Sequence, residues 1–96
     1  MYTLLLLLAL FAPQDQTVVV YTGDNCPPCQ RLKADYRADP SLFGGRRVQW
    51  VNIDRTPGTG VSAVPTLVIY EDKRPVGKTT GYGGPGSLRS WLQRWQ

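Results

Sequence analysis

The sequence predicts one α/β domain with a central mixed sheet of four to five strands and helices on both faces. Two observations lead to this prediction. The chain has 96 residues, a length that suits one domain with one core. Short β-branched runs and helical patterns alternate as strand–helix–strand and then strand–strand–helix, an order that builds a mixed sheet with helices packed on it.

The first half of the chain supplies the strand–helix–strand unit. Residues 17–21 are a β-branched apolar run, typical of a strand buried on both faces. A helix is predicted from Pro28 to about Arg37, because proline suits the first helical turn. Apolar side chains then recur on one face of that helix at a spacing of three to four residues, namely Cys29, Leu32 and Tyr36. The second strand follows at residues 48–54.

The second half supplies two more strands and a last helix. Residues 56–63 leave space for at most one helical turn ahead of a third strand at 66–70. Residues 75–80 indicate a weak edge strand, since a proline at the start of a strand is tolerated there. Ser87 is predicted to cap a final helix, in which large apolar side chains recur at helical spacing, namely Leu88, Trp91, Leu92 and Trp95.

An apolar segment at residues 1–13 precedes the domain, which we place at residues 14–96. The uncharged run 2–12 is shorter than the roughly 20 residues that a membrane-spanning helix needs. It matches the apolar part of a signal peptide in length, but no Lys or Arg precedes it and Pro13 would follow the cleavage point. Two interpretations stay open: export or membrane association, or packing on the domain. Localisation therefore stays open between the cytoplasm and an exported or membrane-associated state.

The predicted core is thin, which favours packing of residues 2–12 on the domain. Each large buried side chain contributes about 1.5–3 kcal/mol before conformational entropy offsets it. A small domain with few such side chains gains from additional apolar surface. The side chains that we expect in the core are Val18, Val20, Leu32, Val51, Ile53, Leu67, Ile69, Leu88, Trp91 and Leu92.

Composition and charge exclude several classes of function. The absence of histidine excludes Ser–His and Cys–His nucleophile pairs and metal sites that contain imidazole. The net charge is +4, but the eleven Lys and Arg are scattered, whereas nucleic-acid-binding proteins concentrate them in a stripe or patch. Two cysteines are too few for a disulfide framework or a four-thiolate zinc site. We therefore expect no nucleic-acid partner, no metal and no cofactor beyond the cysteines.

The reactive side chains are concentrated in Cys26-Pro27-Pro28-Cys29, between a predicted buried strand and a helix. Unpaired N–H groups and the positive dipole end at a helix N-terminus favour a thiolate. Cys26 is therefore the candidate nucleophile, and Cys29, one turn into the helix, is the candidate resolving thiol. In thiol–disulfide exchange the first would attack a substrate disulfide, and the second would release the reduced substrate.

Other interpretations of the cysteine pair are weaker. A structural disulfide would close a loop of only four residues and add little by loop-closure entropy. Half of a zinc site would need thiolates from a second chain, and two buried inert cysteines are the third alternative. A second signal lies at Val64-Pro65, ahead of a strand. A cis bond there would leave the Val64 backbone free to pair with an extended substrate.

Over about residues 17–96 the chain resembles the thioredoxin family. The resemblance depends on motifs in the family's order: Cys26-Pro27-Pro28-Cys29, Val51-Asn52-Ile53-Asp54, Pro57-Gly58-Thr59, Val64-Pro65-Thr66-Leu67, Gly81 and an amphipathic C-terminal helix. The resemblance implies a protein-disulfide oxidoreductase that takes part in electron transport and cell redox homeostasis. It also implies disulfide-containing proteins as substrates and a thioredoxin-reductase-like electron donor. We expect a monomer.

The resemblance also implies a role for each site residue. Cys26 attacks and Cys29 resolves, flanked by the two prolines between them, and Pro65 is a cis-proline that faces the pair. The substrate contacts that it implies, beside the cysteines, are Pro27, Pro28, Val64, Pro65, Gly81 and Tyr82.

This chain departs from the family pattern at several positions. Asn25 stands where the family has tryptophan, and Pro27 where it has glycine. Val20 stands where the family has the buried aspartate that assists the resolving thiol, and Trp50 stands where it has the lysine partner of that aspartate. The shortened stretch 60–63 implies a shortened third helix. Without that carboxylate, deprotonation of Cys29 depends on solvent or substrate, so we expect slower turnover or a role other than general reduction.

A partial resemblance to glutaredoxins is weaker. The proline after the first cysteine and the pair Gly83-Gly84 are similar to glutaredoxin features, but the acidic residue expected near those glycines is missing. Use of glutathione is therefore the weaker interpretation. Two other functions stay open beside reduction of protein disulfides: a thioredoxin-fold binding module without turnover, and an exported thiol oxidant or maturation factor.

Overall fold

A computed structural model describes residues 15–96, which form one sheet and two α-helices. Residues 1–14 lie outside the described part, and with them the predicted apolar segment 1–13. The strands are β1 (Gln16–Thr22), β2 (Arg47–Asn52), β3 (Thr66–Glu71) and β4 (Arg74–Thr80). The helices are α1 (Pro27–Ala38) and α2 (Pro85–Leu92), with short 3-10 helices at Pro40–Phe43 and Gln93–Trp95.

The sheet is mixed, with its strands in the order β2-β1-β3-β4. β1 pairs with β2 in parallel, while β3 pairs antiparallel with both β1 and β4. The four strands match the predicted runs, and β4 lies at the edge, where a strand that begins Arg74-Pro75 is tolerated. Residues 56–63 contain no helix, in agreement with a shortened third helix.

Both described helices pack on one face of the sheet. Successive side chains of a strand point to opposite faces, and on β1 the side chains of Val18 and Val20 face the helices and are fully buried. Leu32 of α1 and Leu88 of α2 belong to the same apolar cluster. The opposite face carries no helix from residues 15–96 and borders an open groove of about 660 Å³. The sequence predicts helices on both faces of the sheet. The two α-helices of residues 15–96 cover one of these faces.

The core differs from the predicted set at five residues. Val51 and Ile53 are half-buried, because Val51 alternates with the core-facing Trp50 and Ile53 lies beyond the end of β2. Leu42 and Phe43 are instead almost fully buried. They lie in the short 3-10 helix, whose N-terminus is capped by an Asp39 carboxylate that accepts a hydrogen bond from the Ser41 N–H at 3.1 Å. Trp91 packs half-buried against this cluster.

Helix α2 begins earlier than its sequence pattern indicated. Its first residue is Pro85 and its N-cap is Gly84, at φ 110°, so Ser87 lies inside the first turn and does not cap the helix. Glycine tolerates this backbone conformation and proline suits the first helical position. No helix among residues 15–96 combines the length and apolar character needed to cross a membrane.

Candidate functional site

Cys26 and Cys29 are joined by a disulfide across the first turn of α1. Cys26 is the N-cap, in an extended conformation, and Pro27 is the first helical residue. The side chains are nearly buried, with 4% of Cys26 and 1% of Cys29 exposed. The strand β1 ends at Thr22, so a three-residue loop, Gly23–Asn25, connects the centre of the sheet to the disulfide. The more accessible of the two cysteines is thus the one at the helix start.

One backbone donor is directed at the Cys26 sulfur. The prolines at the first two helical positions have no N–H, so Cys29 supplies the first backbone donor of α1. Its N–H donates to Cys26 Sγ at 3.2 Å, while the N–H of Gln30 donates to the Cys26 carbonyl at 3.1 Å. In the reduced protein the same Cys29 N–H can stabilise a Cys26 thiolate, since a hydrogen bond to an ionised acceptor is stronger than one to a neutral acceptor.

The Val64–Pro65 peptide bond is cis, and it lies beside the loop that leads to the disulfide. A Cβ built on Gly23 would lie 3.3 Å from Cγ2 of Val64. Pro65 is fully buried, and its carbonyl accepts a hydrogen bond from the Gly81 N–H at 2.7 Å. The structure therefore brings Val64 to the cysteine loop and joins Gly81 to the same turn.

Tyr82 is fixed to helix α1. Its hydroxyl donates to the Asp35 carboxylate at 2.5 Å. Partial burial and this hydrogen bond raise the pKa of Tyr82 well above its usual value of 10. The residue also lines a small cavity of about 380 Å³ that lies beside Gly81 and Trp91. Tyr82 therefore ties the turn after β4 to α1.

No buried carboxylate lies among residues 15–96. Val20 is fully buried, and the buried polar side chains of the described part are the two threonines Thr22 and Thr66. Trp50 packs against Tyr36, and the Lys33 ammonium lies 5.9 Å from the centroid of its ring. Apolar side chains thus occupy the two positions where the family pattern has an aspartate and a lysine.

A network of polar side chains that sequence reasoning missed holds the loop ahead of Cys26. Asn52 Nδ2 donates to Asp24 Oδ1 at 2.9 Å, and Arg55 Nε donates to the same oxygen at 3.3 Å. The Asp24 N–H in turn donates to Asp54 Oδ2 at 2.7 Å. These hydrogen bonds lower the pKa of Asp24 below its usual value, Asn52 being the larger cause. The motif Asn52-Ile53-Asp54 at the end of a strand was the available signal, but its partner is 28 residues away.

No group of three or more Cys, Asp and Glu side chains in the described range 15–96 is arranged to hold a metal ion. The two cysteine sulfurs are bonded to one another. The arrangement is therefore suited to two-electron chemistry at a dithiol–disulfide pair.

Comparison with known proteins identifies the fold. No protein-family model and no curated protein matches the chain. Among solved structures, thioredoxin from Fasciola hepatica superposes with a TM-score of 0.73 at 21% identity, covering 99% of this chain and 94% of that one. Thioredoxin f2 from Chlamydomonas reinhardtii gives 0.72 at 20% identity, with 90% and 83% covered.

A third similar structure is the reduced form of the periplasmic thioredoxin SoxS from Paracoccus pantotrophus. It superposes with a TM-score of 0.71 at 20% identity, covering 83% of this chain and 94% of that one. The chain therefore has the thioredoxin fold, as the resemblance of its motifs predicted, with the cysteine pair at the start of the first described helix.

Proposed function

We propose that this thioredoxin-fold chain is a thiol–disulfide oxidoreductase that reduces protein disulfides through Cys26 and Cys29. The observation that carries the proposal is the disulfide across the first turn of α1, with the Cys29 N–H donated to Cys26 Sγ. This donor and the helix dipole favour the thiolate of Cys26 over its thiol. The similar solved structures are thioredoxins, which supports the same class of chemistry.

The proposed reaction transfers two electrons from the dithiol to a substrate disulfide. The Cys26 thiolate attacks one substrate sulfur, so that a mixed disulfide forms and the other substrate sulfur leaves as a thiolate. Cys29 then loses its proton and attacks Cys26 Sγ. This second attack forms the Cys26–Cys29 disulfide and releases the second substrate thiolate. A reductase-like electron donor would return the protein to the dithiol state.

Deprotonation of Cys29 is expected to limit the rate of the second step. Val20 is apolar and no carboxylate is buried among residues 15–96, so the base that deprotonates Cys29 is water or the departing substrate thiolate. Burial in an apolar environment also raises the pKa of a thiol. We therefore expect a slower second step than in an enzyme with a buried carboxylate behind the resolving cysteine.

Substrate binding is proposed for the turn beside the cysteine loop. Pro65 is fully buried, so a substrate would meet this turn at the Val64 backbone, in the manner of an added β-strand. Gly81, hydrogen-bonded to the Pro65 carbonyl, would line the same groove. Tyr82 would border it, and the prolines Pro27 and Pro28 would flank the attacking sulfur. The partners would be disulfide-containing proteins.

Insulin reduction with dithiothreitol as the electron donor tests the proposal. Wild-type protein is expected to accelerate precipitation of the reduced insulin chains, and Cys26→Ser is expected to lose that activity. Insulin reduction that persists in Cys26→Ser would contradict the assignment of Cys26 as the nucleophile. A thioredoxin-fold binding module, which the absence of a buried carboxylate among residues 15–96 favours, would keep its biological role in the Cys26→Ser/Cys29→Ser double variant.

The direction of electron flow needs a separate measurement. The reduction potential of the Cys26–Cys29 couple distinguishes a reductant, with a low potential, from a thiol oxidant or maturation factor, with a high one. Equilibration against glutathione or dithiothreitol buffers, with the oxidised fraction counted by mass spectrometry, gives this value. A reduction potential of the Cys26–Cys29 couple close to that of known thiol oxidants would favour the thiol oxidant or maturation factor over the reduction of protein disulfides.

A further inference from the structure

The loop Gly23–Asn25 determines where Cys26 stands relative to an incoming disulfide. It joins the last residue of β1 to the helix N-cap. A Cβ built on Gly23 would lie 3.2 Å from Asp54 Oδ2 and 3.3 Å from Val64 Cγ2. The loop therefore lies close both to the segment that follows β2 and to the turn proposed to bind substrate.

Three groups from the end of β2 hold this loop at one residue, Asp24. Asn52 and Arg55 donate to its carboxylate, and Asp54 accepts from its N–H at 2.7 Å. Asn52 Oδ1 also accepts a hydrogen bond from the Asp54 N–H at 2.9 Å, so the Asn52 side chain links the Asp24 carboxylate to the Asp54 backbone. We call Asp24, Asn52, Asp54 and Arg55 the loop clasp.

The clasp is anchored on the rigid part of the sheet. The Ile53 N–H donates to the Thr22 carbonyl at 2.8 Å, which continues the β1–β2 pairing up to the start of the loop. The Asp24–Arg55 ion pair is exposed, at 45% and 75% of the two side chains, so its charge contributes little to stability. The clasp matters for the position of Cys26, because its hydrogen bonds converge on Asp24, two residues before that cysteine.

We infer that Asp24 is a positioning residue, whose carboxylate, held by Asn52 and Arg55, fixes the loop that presents Cys26 to a disulfide. The inference rests on the proposed function. Attack on a disulfide requires the thiolate to lie in line with the bond that breaks, and misplacement by about 1 Å costs up to about 100-fold in rate. Loss of the clasp on one side should therefore slow exchange by about tenfold.

Two substitutions at the same position separate geometry from charge. Asp24→Asn keeps an oxygen that can accept from Asn52 and Arg55 but removes the charge, whereas Asp24→Ala removes both. Rates of exchange between the reduced protein and Ellman's reagent are measured across a pH series. They are compared above the Cys26 pKa, where each variant is fully thiolate. Asp24→Ala is expected to be about tenfold slower than wild type, and Asp24→Asn to stay within about twofold.

A matched control lies at the other end of α1. Asp39 is also half-exposed, accepts from the Ser41 N–H and hydroxyl, and pairs with Arg89 at 2.9 Å. Asp39→Ala therefore removes a network of similar size that does not reach the cysteine loop. Its exchange rate is expected to equal that of wild type, and slowing as large as that of Asp24→Ala would mean that any loosening of α1 suffices.

The outcomes are distinguishable. Wild-type rates for Asp24→Ala overturn the inference, and an Asp24→Asn variant as slow as Asp24→Ala overturns it in favour of charge. Should Asp24→Ala fail to fold by circular dichroism, Asn52→Ala tests the same clasp from the other side, and an unchanged rate there overturns it. Absence of any exchange in the wild-type protein is a failure of the proposed function itself.

Discussion

Replacing Pro28 by alanine should lower the pKa of the Cys26 thiol. A capping side chain at the start of a helix accepts from the N–H of the second or third helical residue. The third, Cys29, already donates to Cys26 Sγ at 3.2 Å, and the second is Pro28, which has no N–H to give. Pro28→Ala therefore supplies a second donor to the thiolate of the reduced protein.

The size of the effect follows from the strength of one such bond. A hydrogen bond to a charged group contributes about 1.5–3 kcal/mol, and one pKa unit corresponds to about 1.36 kcal/mol. We expect the Cys26 pKa to fall by about 1–2 units. Since the added bond stabilises the reduced form, the reduction potential should rise by about 30–60 mV. Loss of the proline should also cost about 0.4–1 kcal/mol of stability through the unfolded chain.

The assay is the pH dependence of Cys26 alkylation by iodoacetamide in the reduced protein. Pro27→Ala is the matched control, because it adds an N–H at the first helical position, which a capping side chain does not use. Its Cys26 pKa should stay close to that of wild type. Equal shifts in the two variants, or a Pro28→Ala pKa that is unchanged or raised, would refute the account of a single directed donor.

Three further predictions concern the stability of the fold. The raised pKa of Tyr82 means that the folded chain retains a proton that the unfolded chain releases above about pH 10, so the free energy of unfolding should fall as pH rises beyond that value. Tyr82→Phe, which also loses the bond to Asp35, should show a shallower fall in urea titrations. Gly77→Ala should destabilise by about 1–3 kcal/mol, because the new Cβ would collide with the Trp95 ring. Gly86→Ala, in open space within α2, should instead stabilise by about 0.5–1 kcal/mol in the same titration.

Elements that depend on local patterns could be predicted from the sequence. The β-branched run of β1 and the helical spacing of α1 each set their own structure, because the period of the apolar residues matches the element. The same local reasoning located Cys26 at a helix start. The fold class followed from the order of these elements.

Features that depend on distant partners could not be predicted. Leu42 and Phe43 were missed because a 3-10 helix of four residues is too short to show a period. Val51 was placed in the core because a strand pattern does not say which of its two faces is covered. The hydrogen bond between Asn52 and Asp24 joins residues 28 positions apart, so the clasp depends on the β1–β2 register, which no local pattern determines.

The prediction that Ser87 caps α2 is wrong for a different reason. Serine is a frequent N-cap residue, and Ser87 precedes the apolar positions of the helix. The structure instead begins the helix at Pro85 after Gly84, because the backbone preferences of these two residues define the start without a side-chain cap. Backbone conformation here outweighs a side-chain hydrogen bond.

Trapping of a mixed disulfide tests the central claim most directly. Reduced Cys29→Ser, which retains the proposed nucleophile but cannot resolve the adduct, is mixed with a disulfide-bonded protein substrate and analysed by mass spectrometry. The account predicts a stable adduct through Cys26 in this variant, and none in the matched Cys26→Ser variant. An adduct through Cys29 in Cys26→Ser, or no adduct in either variant, would contradict it.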